Sequence, residues 1–293
     1  SYDLLEVSEV KLMQHIILNA PEKKDFYFLD IGAGNFKCED HLATSLNELS
    51  DIPDDVKIHI FGVRGEVFGG ADHTTVGKCE IHKLGGFKIE ALENTFKERG
   101  LDVKGKFDVM VSRWTFRHLA DPMGTFIQAY DHLNKNGLFL GDGFMYDFNA
   151  QREGEYYQEN MLSLLIDMGT PFILDSYDAG RSLNRFIFIK TNDETLHLPL
   201  KYSSNPYYNI GERQIYSGVI SIFEHLKTPF GWSDKISFCP RYTAEGDINT
   251  NILIGHQDLF DFFKEAALFP AGRTSPCRYR LVPVSKCLPE GAL

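Results

Sequence analysis

The chain has 293 residues, 24% of them charged and 43% hydrophobic, the profile of a globular protein with enough length for a large core. A formal net charge of −11 argues against nucleic acid or an anionic membrane face as partner, because such surfaces select basic patches. The five cysteines (Cys38, Cys79, Cys239, Cys277, Cys287) are odd in number and contain no C-x-x-C pair, which speaks against a disulfide framework or a zinc cluster. No apolar run is long enough to span a bilayer, so a cytoplasmic setting is the default expectation.

Taken in order, residues 3–19 suit an amphipathic helix ended by Pro21-Glu22-Lys23-Lys24. Phe26 to Ile31 is mostly apolar, as expected of a strand buried on both faces, and Gly32-Ala33-Gly34 turns the chain into a helix carrying Leu42, Leu46 and Leu49. Strand, glycine turn and helix together form the opening unit of a nucleotide-type site, with backbone donors gathered at the helix start. Lys57–Val63 reads as a second strand. The glycine-dotted stretch 64–78 lacks helical periodicity, so its crossover is either short or a loop.

Cys79–Leu84 is the third strand, followed by Gly85-Gly86 and a helix carrying Ile89, Leu92 and Phe96. Phe107–Val111 is the fourth strand. Asp121-Pro122 opens a helix that Asn136-Gly137 closes, and Leu138–Leu140 is the fifth strand. A helix over 153–168 and strands over Pro171–Tyr177 and Arg185–Lys190 follow, the last two spaced for an antiparallel pair. This rhythm predicts an α/β fold: a Rossmann-like, mainly parallel sheet with helices on both faces and an antiparallel last strand. Beyond residue 191 the pattern changes to an α+β extension, dense in aromatics. It contains expected helices over 213–226 and 257–267 and strands over 196–202 and 279–284. The domains expected are a core over 1–191 and an extension over 192–293 that packs on it and could cover the acceptor.

Three segments carry a resemblance. Leu29-Asp30-Ile31-Gly32-Ala33-Gly34, Phe107 to Leu119, and Ala129 to Leu140 with its lysine-x-glycine turn resemble the cofactor motif, fourth strand and fifth strand of class I S-adenosylmethionine-dependent methyltransferases. The resemblance implies S-adenosylmethionine as cofactor. Asp30, Gly32, Gly34 and Asn35 would lie at its methionine end, and Ser112, Arg113 and Trp114 at the carboxyl edge of the fourth strand. The family's acid after the second strand is replaced by Arg64, with Glu66 as its substitute, and Phe87 stands where adenine would stack. His118, Asp142 and Tyr146 are the acceptor-side candidates, His118 because imidazole suits proton removal near neutrality.

Each residue also has a plainer role in the fold: Asp30 as a helix cap, Asn35 as a turn former, Phe87 and His118 as packing groups. The absence of an Asn/Asp-Pro-Pro-aromatic sequence tells against methylation of base amines or glutamine side chains. The expected acceptor is an unidentified small molecule or protein, and the sequence says nothing of oligomeric state. Two other readings stay open. A degenerate methyltransferase fold could serve as a binding module. An NADP-dependent oxidoreductase would use Arg64 for the 2′-phosphate but lacks the third glycine, since position 37 is Lys. No His-x-x-x-His helix appears, and His59 and His82 fall inside strands, so spacing alone gives no metal site. Gly32→Val is expected to block the ligand while leaving the chain folded.

Overall fold

The computed structural model describes residues 8–67, 69–119, 122–144, 147–152, 155–160, 171–178, 183–191, 236–242, 248–256, 259, 262, 263, 282 and 283. The chain divides into two compact units, one of residues 1–141 with 190–197 and one of residues 142–189 with 198–293, so the first boundary falls well before residue 191.

In the first unit, helix α1 (Glu9–Leu18) starts at Ser8, whose hydroxyl accepts the Lys11 N–H at 3.5 Å. Strand β1 (Asp25–Ile31) leads through the glycine turn into α2 (Lys37–Glu48). Strand β2 (Lys57–Val63) follows. The stretch without helical period contains a strand, β3 (His73–Val76), which folds back antiparallel on β4 (Cys79–Leu84). After a 3-10 turn come α3 (Leu92–Glu98), β5 (Phe107–Arg113), α4 (Pro122–His132) and β6 (Leu133–Phe144). The strands lie in the order β6-β5-β1-β2-β4-β3. The β1–β2, β1–β5 and β2–β4 pairs are parallel, which is the mainly parallel, Rossmann-like arrangement.

Strand order reverses between β1 and β5, placing the open crevice of such a sheet at their carboxyl ends. Alternation of side chains covers the sheet twice. On one face Tyr27, Phe61 and Phe107 form a ring cluster that Phe61 and Phe107 extend to Phe96 of α3, and Phe96 meets His132 of α4. On the other, the Cys79 thiol points at the Ala43 carbonyl of α2 at 3.6 Å, and a Cβ at Gly62 would come within 2.7 Å of the Phe36 ring. At the lower end of the sheet, the buried Asp108 carboxylate accepts from Lys23 (2.5 Å), the Tyr27 N–H (2.9 Å) and Asn134. The Lys190 ammonium is also buried and donates to the Tyr130 and Leu133 carbonyls, closing the C-terminal turn of α4.

In the second unit, β7 (Asp147–Arg152) and β8 (Glu155–Asn160) form an antiparallel pair. The helix expected over 153–168 is therefore not formed at 155–160. Tyr156 and Tyr157 favour a strand, and partner residues Gln151 and Ala150 supply the ladder. Strands β9 (Phe172–Asp178) and β10 (Leu183–Ile189) are antiparallel, as their spacing predicts. Strands β11 (Ile236–Tyr242), β12 (Ile248–His256) and β13 (Val282–Pro283) continue in the order β13-β11-β12-β9-β10. Of these only β13 is anticipated from the sequence. Leu259, Phe262 and Phe263 are helical within the expected 257–267 segment, whereas the elements expected at 196–202 and 213–226 lie outside the described residues. No helix among the described residues is long and apolar enough to cross a membrane.

Candidate functional site

The turn after β1 is held by its neighbours before any ligand is considered. The Gly32 and Ala33 N–H groups both donate to the Val63 carbonyl at the end of β2, each at 2.9 Å. Gly32 has φ +95° and Gly34 φ +55°, conformations that glycine adopts without a Cβ penalty. A Cβ at Gly32 would overlap the Thr115 side chain, so the turn after β1 and the turn after β5 pack directly together. Gly32→Val therefore breaks packing as well as any ligand contact, contrary to the sequence expectation of an undisturbed fold. Gly34 faces open space, and the exposed Gly34 and Asn35 N–H groups have no acceptor among the described residues. The Asn35 side chain instead accepts from the Lys37 N–H at 3.3 Å, making the turn its first duty.

Asp30 does not face the open side. It is 3% exposed and accepts from the Arg113 guanidinium at 3.0 Å, while the same guanidinium pairs with Glu9 of α1. Burial works against the charge of Arg113, but Asp30 and Glu9 outweigh it and hold its pKa above the ordinary value. Glu39, in the first turn of α2, is completely buried beside Asp30; burial and the Asp30 charge push its carboxyl up to about 9. Burial raises Asp30 too, with Arg113 opposing. One oxygen of Asp30 and both of Glu39 lack a donor among the described residues. A proton kept on Glu39 and given to Asp30 supplies one, and leaves Asp30 as the anion that faces Arg113.

The other candidates distribute as follows. Ser112 is buried and donates to the Ile31 carbonyl at 3.0 Å, tying β5 to β1. Trp114 has φ +60° and a large exposed ring at the mouth of the β5 turn. A bulky residue in that backbone region is strained, and such strain concentrates at functional sites. His118 ends a 3-10 turn (Phe116–His118) and is exposed. Beyond β2, the Arg64 guanidinium pairs with Glu66, whose carboxylate is 85% exposed. The Arg64 and Glu66 carbonyls accept from Phe87 (2.9 Å) and Gly86 (2.8 Å), which joins the two loops on that side. Phe87 itself is 2% exposed and packs edge-on against Phe96 at 4.9 Å, in the core and not at a rim where adenine could stack. Asp142 belongs to β6 with its side chain outside the described ones, and Tyr146 lies outside the described residues.

Sequence reading missed the partnership of Asp30 with Arg113, Glu9 and Glu39. The only signal available was an acid and an arginine each ending a strand.

No protein-family model matches the chain, and no curated protein matches it. Among solved structures it is similar to the CurJ carbon methyltransferase (14% identity over 62% of this chain and 54% of that one, TM-score 0.38). It is also similar to a putative methyltransferase in complex with the Haloferax volcanii Trm112 methyltransferase activator (13%, 64% and 91%, TM-score 0.37). A third is Haemonchus contortus phosphoethanolamine N-methyltransferase 2 in complex with S-adenosyl-L-methionine (14%, 61% and 53%, TM-score 0.32). The aligned part spans about half the length of the first and third of these. All three carry a methyltransferase name; the Rossmann-like fold itself rests on the strand order and pairing described above.

Proposed function

We propose that the chain binds S-adenosylmethionine at the turn after β1 and transfers its methyl group to an O, N or C atom of a small-molecule or protein acceptor. The observation that carries this reading is the pair of N–H groups on the exposed residues Gly34 and Asn35, which have no acceptor among the described residues and stand where strand order reverses between β1 and β5. Gly34, Asn35 and Trp114 would hold the methionine end, and Glu66 is the exposed acid available to ribose hydroxyls. Bound there, the sulfonium supplies an activated methyl group. The residues then have to orient the acceptor in line and keep water out, and positioning of this kind contributes roughly 7–11 kcal/mol. No nucleophile on the protein is required. His118 is exposed and is the described candidate for removing an acceptor proton; Asp142 and Tyr146 remain proposals of the sequence.

A second reading, a binding module without transfer, is favoured by one specific arrangement. Asp30 is committed to Arg113, and Arg64 rather than an acid follows β2. Thermal melting with S-adenosylhomocysteine, S-adenosylmethionine and NADPH separates the cases. Both adenosyl ligands raise the melting temperature and NADPH does not if the first reading holds. Absence of any adenosyl shift at saturation overturns cofactor binding. An adenosyl shift without transfer across a panel of small-molecule and protein acceptors leaves the binding module ahead.

A further inference from the structure

A second set of chemistry-bearing side chains lies on the same sheet, roughly 13 Å back along β2 from Val63. His59 of β2 stands opposite Glu80 of β4, and His82 follows Glu80 two residues on, so all three point to one face. Their ligand atoms lie within 4.8 Å of one another. The two nitrogens of His59 are both engaged by carboxylates: Nε2 with Asp25 at 3.1 Å and Nδ1 with Glu80 at 3.2 Å. The His82 Nε2 is buried and has no partner among the described residues.

We propose that His59, Glu80 and His82 form a binding site for a first-row divalent cation of the zinc class, with Asp25 orienting His59 from behind. Two imidazoles and one carboxylate are a donor set that such ions accept as three protein ligands, leaving a further position for water. Adjacent ligands on a tetrahedral ion with bonds of this length are about 3.3 Å apart, so the Nδ1–Glu80 separation already matches. A carboxylate on the far nitrogen of a ligating histidine is the usual device for fixing its tautomer and ring direction, and Asp25 holds that position. Asp25 and Glu80 together offset the charge of the ion. The rings are also fixed by stacking: His59 lies on Tyr27 at 4.6 Å and His82 on Phe61 at 4.3 Å. His73 of β3 sits across from His82 with ring centroids 4.9 Å apart, placing another imidazole beside the site. Glu80 and His59 are partly exposed, which gives the ion a way in. The bound ion would tie β2 to β4.

The site is independent of the adenosyl reading and is tested without any turnover. Tag-free protein treated with chelator and dialysed is titrated with Co²⁺ by visible absorption, then back-titrated with Zn²⁺. One equivalent bound with ligand-field bands, displaced by Zn²⁺, is expected, together with a rise in melting temperature. Glu80→Gln and His82→Asn should each weaken uptake by roughly tenfold or more, whereas His41→Asn on α2 should not. Glu80→Gln is the decisive variant, because the side chain is near-isosteric and partly exposed and the metal-free fold should survive. No saturable uptake by the unmodified chain overturns the site. So does uptake unchanged in folded Glu80→Gln, which would leave His59 as an imidazole shared by two carboxylates.

Discussion

The two ends of the parallel strands hold ionisable clusters of opposite construction. At the carboxyl end, Asp30 and Glu39 are buried, and the largely covered Arg113 pairs with Asp30 and with Glu9, joining α1, α2, β1 and β5. Toward the amino end, Asp25, His59 and Glu80 share a surface that water reaches, with Asp25 54% exposed. Burial makes the first set a closed unit whose members cannot be exchanged for a ligand without stranding a charge. The second set can trade its internal bonds for an outside partner at small cost. A residue with the right chemistry, such as Asp30, is therefore the poorer candidate for direct ligand contact when its environment is closed.

The largest effect should come from opening the sealed cluster. Arg113→Met leaves Asp30 and Glu9 without their cation and is expected to destabilise the fold by about 3–5 kcal/mol in urea denaturation. A loss below about 1 kcal/mol would mean the cluster is not closed and the contrast is false. Next is Gly34→Asp. An aspartate tolerates the positive φ and meets open space, so the fold should stay intact, yet a carboxylate stands where the ligand's own would lie. The stabilisation by S-adenosylhomocysteine, about 2.7 kcal/mol at 100 times its dissociation constant, should disappear. Its survival would move the ligand away from this turn.

The sealed cluster also makes a prediction about pH. Glu39 has its pKa raised from 4.5 to about 9 on folding, so the native state holds a proton that the unfolded chain releases. This contribution to stability is complete below pH 4.5 and is lost as pH rises to about 9. The urea midpoint should therefore fall across that window in the parent chain and fall less in Glu39→Gln; equal slopes would show Glu39 to be ionised at neutral pH. The smallest effect belongs to the open cluster. In metal-free protein Asp25→Asn should change stability by less than about 1 kcal/mol, because the Asp25 carboxylate is itself exposed.

Those contrasts explain what sequence could show. Phe26–Ile31, Lys57–Val63 and Phe107–Val111 announce buried strands because both faces are covered and few polar residues intervene. Gly32 and Gly34 announce the turn because positive φ there demands them. His73–Val76 gives no such signal: its residues are polar or β-branched and only half-buried at an edge. Arg113 and Asp30 are 83 residues apart, and Arg113 and Glu9 are 104 apart, so nothing local marks their union. The histidine set was legible only in part. Glu80 and His82 alternate on one strand, but the arrival of His59 beside them depends on a parallel register that no spacing rule reveals. The segment Glu155–Asn160 forms a strand where the sequence predicts helix, because its polar, tyrosine-containing sequence fits either period.

The single carbonyl of Val63 has a mechanical meaning. By accepting from both Gly32 and Ala33 it couples the turn after β1 to the strand whose next residues, Arg64 and Glu66, are bonded to Gly86 and Phe87. The turn after β1 and the loops after β2 and β4 are thus tied into one hydrogen-bonded frame. A ligand arriving there would lose its own freedom but order little protein, so little of its binding free energy would be consumed in arranging the loops around it.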